Sequence, residues 1–395
     1  MVSDDGNKNK PRNLFHRRVV KSYHKRQQIQ QRMNTTTTTT SSGVREDGDF
    51  VTEKRFRLRE NEPIDKSSSN NSIITTTVES SSSNTVVEVL TESKELKYGF
   101  ISMIGRRRVM EDAIKVGVRV RVMDNNEFMF FGVYDGHGGS RVSLACRERL
   151  HYIIEEELLE LNRKSNDNDN NRKDWEKVMM TSFSRMDEEV RGVGYEEEDM
   201  GRTVGSSAMV VMVGKEVVVV ANCGDCRTIL CNRGVTLPLS HDHKADRPDE
   251  KKRVEAAGGK ILNWKGSRVQ GVLATSRSIG SHGFKSWKQP PTEMLGDHCL
   301  KPFLIPEPEV TVYKRNEWDE FLVIATNGLW DVVSNEVACE VVRKCLDGQI
   351  QRRFPERDSA ADAAALLTEL AIAKGSKDNI SVIVVELDKI SDIKV

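Results

Sequence analysis

Phe128-Met129-Phe130-Phe131-Gly132-Val133-Tyr134 runs straight into Asp135-Gly136-His137-Gly138-Gly139. The first seven residues form a short apolar run suited to a buried strand. That strand ends on a carboxylate, an exposed backbone carbonyl and a histidine. Hard divalent cations take oxygen ligands and imidazole moves protons near neutral pH, so the junction reads as equipment for metal and proton transfer. A second acidic pair, Glu111-Asp112, lies upstream, and Asp225, Asp331 and Asp378 each follow a hydrophobic run. This layout suggests acids gathered at sheet ends around hard cations. Taken singly, each has a plainer role open to it, because an Asp after a strand commonly caps a helix or makes a turn.

The chain has 395 residues, enough for one large or two ordinary domains, and its 37% hydrophobic content permits a sizeable core. Lys and Arg number 60 and Asp and Glu 60, so no global field steers the protein to nucleic acid or a membrane. No recognisable nucleic-acid-binding motif is present. No segment reaches the roughly 18 apolar residues of a membrane span, and the polar opening Met1-Val2-Ser3-Asp4-Asp5 lacks the apolar stretch of a secretory signal. Seven scattered cysteines fit free thiols in a reducing compartment better than a disulfide framework. Cys223 and Cys226 make a CxxC, but no second pair answers it as a structural zinc site requires.

Texture changes near residue 95. Upstream lie the threonine run 35–40, serine runs at 67–69 and 80–83, and few aromatics. Such a composition buries too little apolar surface to offset its ordering entropy, so residues 1–95 read as a mostly disordered tail and 96–390 as the folded domain. Residues 1–33 hold nine Lys or Arg against Asp4 and Asp5, a local net charge of +7. A basic cluster of this kind serves as a nuclear-import signal, as a transit peptide or as a solvated tail, and a nuclear or cytoplasmic address is expected.

Within the domain, Met209 to Val213 and Val217 to Ala221 predict a hairpin turning at Gly214-Lys215, and Phe321 to Ala325 and Ser381 to Glu386 predict two more strands. Leu144, Leu150, Ile153, Ile154, Leu158 and Leu161 recur at helical spacing, and the Ala-rich stretch 360–373 predicts a helix that stops before Gly375. The Asn- and Asp-rich segment Ser165 to Asn171 predicts an exposed loop. Strands and helices interleave without a strict βαβ repeat, which favours layered sheets with outer helices.

Six blocks occur in a telling order: Gly105-Arg106-Arg107-Arg108-Val109-Met110-Glu111-Asp112, Asp135-Gly136-His137-Gly138-Gly139, Cys223-Gly224-Asp225-Cys226-Arg227, Asp246-Arg247-Pro248-Asp249-Glu250, Ser276-Arg277-Ser278-Ile279-Gly280 and Lys377-Asp378-Asn379-Ile380-Ser381. Over residues 97–389 they resemble the metal-dependent type 2C Ser/Thr protein phosphatases. Glu255-Ala256-Ala257-Gly258-Gly259, Cys146-Arg147-Glu148-Arg149-Leu150-His151 and the Arg-rich opening block look like the plant group A members, the abscisic-acid co-receptor phosphatases.

The resemblance implies an α+β fold, a four-layer α-β-β-α sandwich of two antiparallel sheets flanked by helices, with two Mg²⁺ or Mn²⁺ ions at one edge. It implies that Asp135 bridges both ions, that the Gly136 carbonyl and Glu111 hold one, and that Asp378 holds the other. Arg107 would grip the substrate phosphate, His137 would act as general acid, and Asp225 with Asp331 would serve a weaker third metal. Arg106 and Arg108 flank Arg107, so a solvated arginine triplet remains open. This division of labour suits phosphate-ester hydrolysis, which needs charge neutralisation, an activated water and a proton donor. Phosphoprotein substrates, kinases among them, and a monomeric enzyme are expected. Trp264, in Asn263-Trp264-Lys265-Gly266, stands where the co-receptor phosphatases carry a receptor-contacting tryptophan.

Two departures bear on activity. Where the family reads Ser-Asp-Gly-Leu-Trp-Asp this chain has Thr326-Asn327-Gly328-Leu329-Trp330-Asp331, so an expected metal carboxylate is an amide. This opens a second reading, an impaired pseudophosphatase that binds kinases or receptors without turnover. Residues Ser281 to Gly296 are an insertion before Asp297-His298-Cys299-Leu300-Lys301-Pro302, either a lineage-specific loop or retained intron sequence.

Overall fold

The computed structural model describes residues 73–80, 83–90, 96–122, 126–164, 174–191, 204–263, 266–280, 300–350 and 358–389. Two antiparallel sheets dominate. The first runs β14(Glu309–Lys314), β9(Val217–Cys223), β8(Ala208–Val213), β5(Asn126–Tyr134), β4(Ala113–Val122). The second runs β1(Ile73–Ser80), β2(Ser83–Leu90), β3(Tyr98–Met103), β16(Ile380–Glu386), β15(Asp319–Ala325), β10(Arg227–Asn232), β11(Val235–Pro238). The sequence reading leaves β1 and β2 in the low-complexity tail; they pair with each other from Ile73↔Leu90 to Ser80↔Ser83, and β2 meets β3 at Val86↔Ser102.

Alternation of side chains along each strand builds three apolar layers. Phe131, Val133, Met209, Val211, Leu322, Ile324 and Ile383 face inward and join the two sheets. Their neighbours Phe130, Val210 and Met212 face outward and pack beneath α1(Arg141–Lys164) and α2(Trp175–Val190) through Leu150, Ile153, Met179 and Phe183. On the other side Val323, Ala325, Val382 and Val384 pack against α4(Asn327–Trp330), α5(Asn335–Leu346) and α6(Ser359–Ala373). Each fully buried large side chain contributes on the order of 1.5–3 kcal/mol. The result is the expected helix-sheet-sheet-helix sandwich.

Local expectations fare similarly. β8 and β9 form the hairpin with Met212↔Val219 and Val213↔Val218 flanking its turn. Helix α6 ends at Ala373, and Gly375 follows at φ +95°, a left-handed position that favours glycine. The loop expected at Ser165 to Asn171 lies outside the described residues, as do Trp264 and Ser281 to Gly296. The flanks of that insertion are tied to one buried carboxylate: Gly280 N donates to Asp187 Oδ1 at 2.8 Å and Lys301 Nζ to Oδ2 at 2.7 Å. Cys223 packs in the outer layer and Cys226 between the sheets, so the CxxC thiols point into different cores and cannot share a zinc ion.

The smaller elements are β6(Gly136–His137), which pairs with β7(Gly205–Ser206), α3(Pro248–Ala256), and β12(Ile261–Asn263), which pairs with β13(Ser267–Val269).

Candidate active site

The acids predicted from sequence meet at one edge of the sandwich because the loops bearing them leave neighbouring strand ends. Asp135 terminates β5, Asp225 links β9 to β10, Asn327 opens α4 after β15, and Asp378 precedes β16. Glu111 and Asp112 occupy the connection from β3 to β4. Asn379 fixes that connection: Glu111 N donates to its Oδ1 at 2.8 Å, and its Nδ2 donates to Ile104 O at 2.9 Å and Val109 O at 3.1 Å. Ser143, in the first turn of α1, donates to Glu111 O at 2.5 Å. A side chain at Gly136 would strike that same Glu111 carbonyl, so only glycine lets the two backbones approach.

Like charges accumulate here. Burial pushes the Asp135 carboxyl well above the ordinary range, and Asp112, Asp225 and Asp378 push it further. Burial likewise takes Asp112 up to about 7, against hydrogen bonds from Ser381 Oγ at 2.8 Å and Thr326 Oγ1 at 3.0 Å. These are carboxylates short of positive charge. Two protein cations answer in part. Arg107 Nη2 reaches Asp378 Oδ2 at 2.7 Å; burial opposes the guanidinium's charge, but Asp378, Glu111 and Asp135 together hold it more firmly protonated. Lys244 Nζ bridges Asp225 Oδ2 at 2.8 Å and the more exposed Asp331 Oδ1 at 3.2 Å. Burial works against an ionised Asp225, yet Lys244, Ser207 and Asn327 bring its carboxyl below the usual range.

Asn327 Oδ1 is buried and accepts no hydrogen bond from the protein. The cap of α4 is Thr326, whose hydroxyl is spent on Asp112. Capping therefore does not account for Asn327. Trp330 anchors this short helix through Nε1 to Arg227 O at 3.1 Å and Ala325 O at 3.0 Å. His137 is partly exposed, but its Nε2 is sealed without a partner, and burial lowers the ring to about 4, a neutral imidazole at pH 7.

Among the described residues no three His, Cys, Asp or Glu side chains form a closed metal cluster. One expected carboxylate is the amide of Asn327, and Arg107 and Lys244 are paired to Asp378, Asp225 and Asp331. The donor chemistry nevertheless fits a hard divalent cation: buried carboxylates that repel one another and an orphaned amide oxygen beside them. Sequence reasoning missed Lys244, Asn379 and the role of Asp112. Asp112 and Asn379 stand inside the quoted motifs, and Lys244 lies two residues before one, so position was visible while partners were not.

Residues 96–380 match the family model described as Protein phosphatase 2C. The chain belongs to the protein phosphatase 2C family. It is 50% identical over 321 residues to "Probable protein phosphatase 2C 8" of Oryza sativa subsp. japonica, covering 75% of both chains. It is 41% identical over 341 residues to "Protein phosphatase 2C 3" of Arabidopsis thaliana, covering 74% of this chain and 71% of that one. The serine-threonine phosphatase 2C of Toxoplasma gondii shares its fold, with a TM-score of 0.61 at 20% identity, across 77% of this chain and 98% of that chain. The protein is thus a serine/threonine protein phosphatase of a metal-dependent family, and phosphoproteins are its substrate class.

Proposed function

We propose that the edge formed by Asp135, Asp225 and Asp378 with Arg107 hydrolyses phosphoserine and phosphothreonine on proteins. The observation that carries this reading is the mutual repulsion of buried carboxylates next to a phosphate-competent arginine. Asp135, the Gly136 carbonyl, Glu111 and Asp378 would hold two Mg²⁺ or Mn²⁺ ions, with Asn327 Oδ1 as a neutral donor. Bound metal would neutralise phosphate charge and acidify a water molecule. Arg107 carries five N–H donors, of which the Asp378 bond uses one, leaving a fork for phosphate oxygens. His137 would donate to the leaving seryl or threonyl oxygen; an incoming phosphate dianion raises the basicity of a neighbouring imidazole and so favours the protonated form that burial disfavours. Phosphate release from a phosphothreonine peptide by the purified full chain, titrated with Mn²⁺ and Mg²⁺, tests this; no metal-dependent release refutes it.

The second reading, a binding module with impaired turnover, is favoured by the Asn327 amide. It predicts peptide binding without phosphate release in the same titration.

The motifs shared with the abscisic-acid co-receptors support a negative regulator of abscisic-acid signalling acting on kinases. Trp264 would contact the hormone receptor, since an indole supplies a large apolar surface and one N–H donor. A pull-down with receptor and hormone should lose binding on Trp264→Ala; unchanged capture removes that role. The +7 segment 1–33 supports nuclear residence. A fluorescent fusion lacking it should shift to the cytoplasm, and an unshifted signal refutes the import role.

A further inference from the structure

A second reactive cluster lies away from the acidic edge, where α5 crosses β10 and β11. Cys339 on α5 and Cys231 on β10 are both buried, and their side chains are hydrogen-bond partners. Thr236 of β11 also hydrogen-bonds Cys339. Arg343, one helical turn beyond Cys339, places Nη2 3.1 Å from Cys231 Sγ. Glu320 Oε2 lies 3.6 Å from Cys231 Sγ, and Glu320 accepts from Arg343 Nε at 3.0 Å. Arg343 and Glu320 thus flank the Cys231 sulfur, and Thr236 flanks that of Cys339. Cys339 lines a cleft of about 610 Å³ together with Thr236 and Arg343, which gives a small reagent a way in.

We propose that Cys339 and Cys231 form a peroxide-reactive thiol pair, Cys339 attacking and Cys231 resolving. The thiolate is the nucleophile of sulfur chemistry, and donors around it favour its formation. The hydrogen bond from Cys231 is the main influence lowering the Cys339 thiol, to about 7, whereas burial pushes Cys146, Cys223 and Cys226 up. The Cys339 thiolate attacks one oxygen of a hydroperoxide, the O–O bond breaks, and the departing oxygen takes a proton to leave as water or an alcohol. Cys339 is then a sulfenic acid. Cys231 sulfur attacks it, the S–O bond breaks, and water leaves with the Cys231 proton, which Glu320 is placed to relay. Two thiols supply two electrons to one peroxide, and the product is an intrachain disulfide between β10 and α5. Those elements already meet near the acidic edge, where Arg227 Nη1 donates to Asn335 Oδ1 at 2.8 Å. A transient disulfide of this kind is compatible with a reducing compartment.

The test uses the full-length protein treated with hydrogen peroxide, followed by alkylation of remaining thiols and peptide mass spectrometry. One equivalent should remove two of the seven thiols and yield a cross-linked peptide joining Cys231 to Cys339. Cys231→Ser should trap the sulfenic acid on Cys339 as a dimedone adduct without the cross-link, and Cys339→Ser should slow thiol loss at least tenfold. Far-ultraviolet dichroism and melting of both variants guard against misfolding, and the wild-type peptide map decides by itself if either fails to fold. Cys339 remaining alkylatable while other cysteines oxidise, or Cys339→Ser losing thiols at the wild-type rate, overturns the proposal.

Discussion

Asn327→Asp supplies the carboxylate that the resemblance implies at this position, and its consequences differ with and without metal. In the metal-free protein the new charge stands within hydrogen-bonding reach of Asp225, in an edge where Asp135 is already pushed up by its acidic neighbours. Two like charges about 4 Å apart repel by about 4 kcal/mol at an effective dielectric near 20. Part of that is relieved by Lys244 and by solvent, so a fall of several degrees in the metal-free melting temperature is expected. A divalent cation reverses the sign, because the orphaned neutral oxygen becomes an anionic ligand. The net expectation is at least a tenfold rise in turnover on a phosphopeptide at low-millimolar Mg²⁺, or about 1.4 kcal/mol of barrier. The Mn²⁺ concentration for half-maximal thermal stabilisation should also drop about tenfold, since ligand stabilisation follows mass action. Phosphate release and melting curves, each across a metal titration, measure both. Equal turnover in wild type and variant, with superimposable metal-dependent melts, would refute the role given to Asn327.

Lys244→Met should leave Asp225 and Asp331 facing each other without a counter-charge, so calorimetric titration should register one more bound Mn²⁺ than wild type; unchanged stoichiometry sinks the idea that the ammonium fills a cation position. Glu250 sits 1% exposed and accepts from Arg253 Nη2 and Arg277 Nη2, each at 2.7 Å; Glu250→Gln should cost about 3 kcal/mol by chemical denaturation, and a loss below about 1 kcal/mol contradicts the network. The same carboxylate sets an acid dependence: burial raises it, but bonds from Arg277, Arg253 and Ser276 bring it well below its unfolded value. A folded-state value below the unfolded one makes its stabilisation complete above pH ~4.3 and progressively lost as pH falls toward the folded value, so the variant's melting temperature should decline less than wild type's between pH 5 and 3; parallel curves would count against this. Excision of Ser281 to Gly296 should leave a folded, metal-responsive domain, because the Asp187 bonds to Gly280 and Lys301 secure the flanks; aggregation of the excised protein contradicts it.

Much of this architecture is legible in the chain itself. Apolar runs such as Phe128 to Tyr134 bury on both faces, and that alone identifies central strands; apolar residues at helical spacing from Leu144 to Leu161 identify a helix; Gly375 marks the end of another. Residue chemistry also singles out Asp135, directly after a buried strand, and Asp225, in the turn after β9, whereas Asp331 closes a short helix and Asp378 precedes β16, so no strand-end pattern marks those two. What the chain could not disclose is pairing across distance. Lys244 meets Asp225 and Asp331, Arg107 meets Asp378, and Asn379 clamps Glu111 across 268 positions. Each contact exists only because antiparallel strands far apart in sequence end at the same edge. The state of each group follows suit: a lone Asp112 is an ordinary acid, and it becomes one that titrates near 7 only when burial removes water and Asp378 and Glu111 arrive beside it. Local periodicity and residue type are written along the chain, whereas burial, counter-charge and the orphaned Asn327 oxygen are properties of the space that two packed sheets enclose.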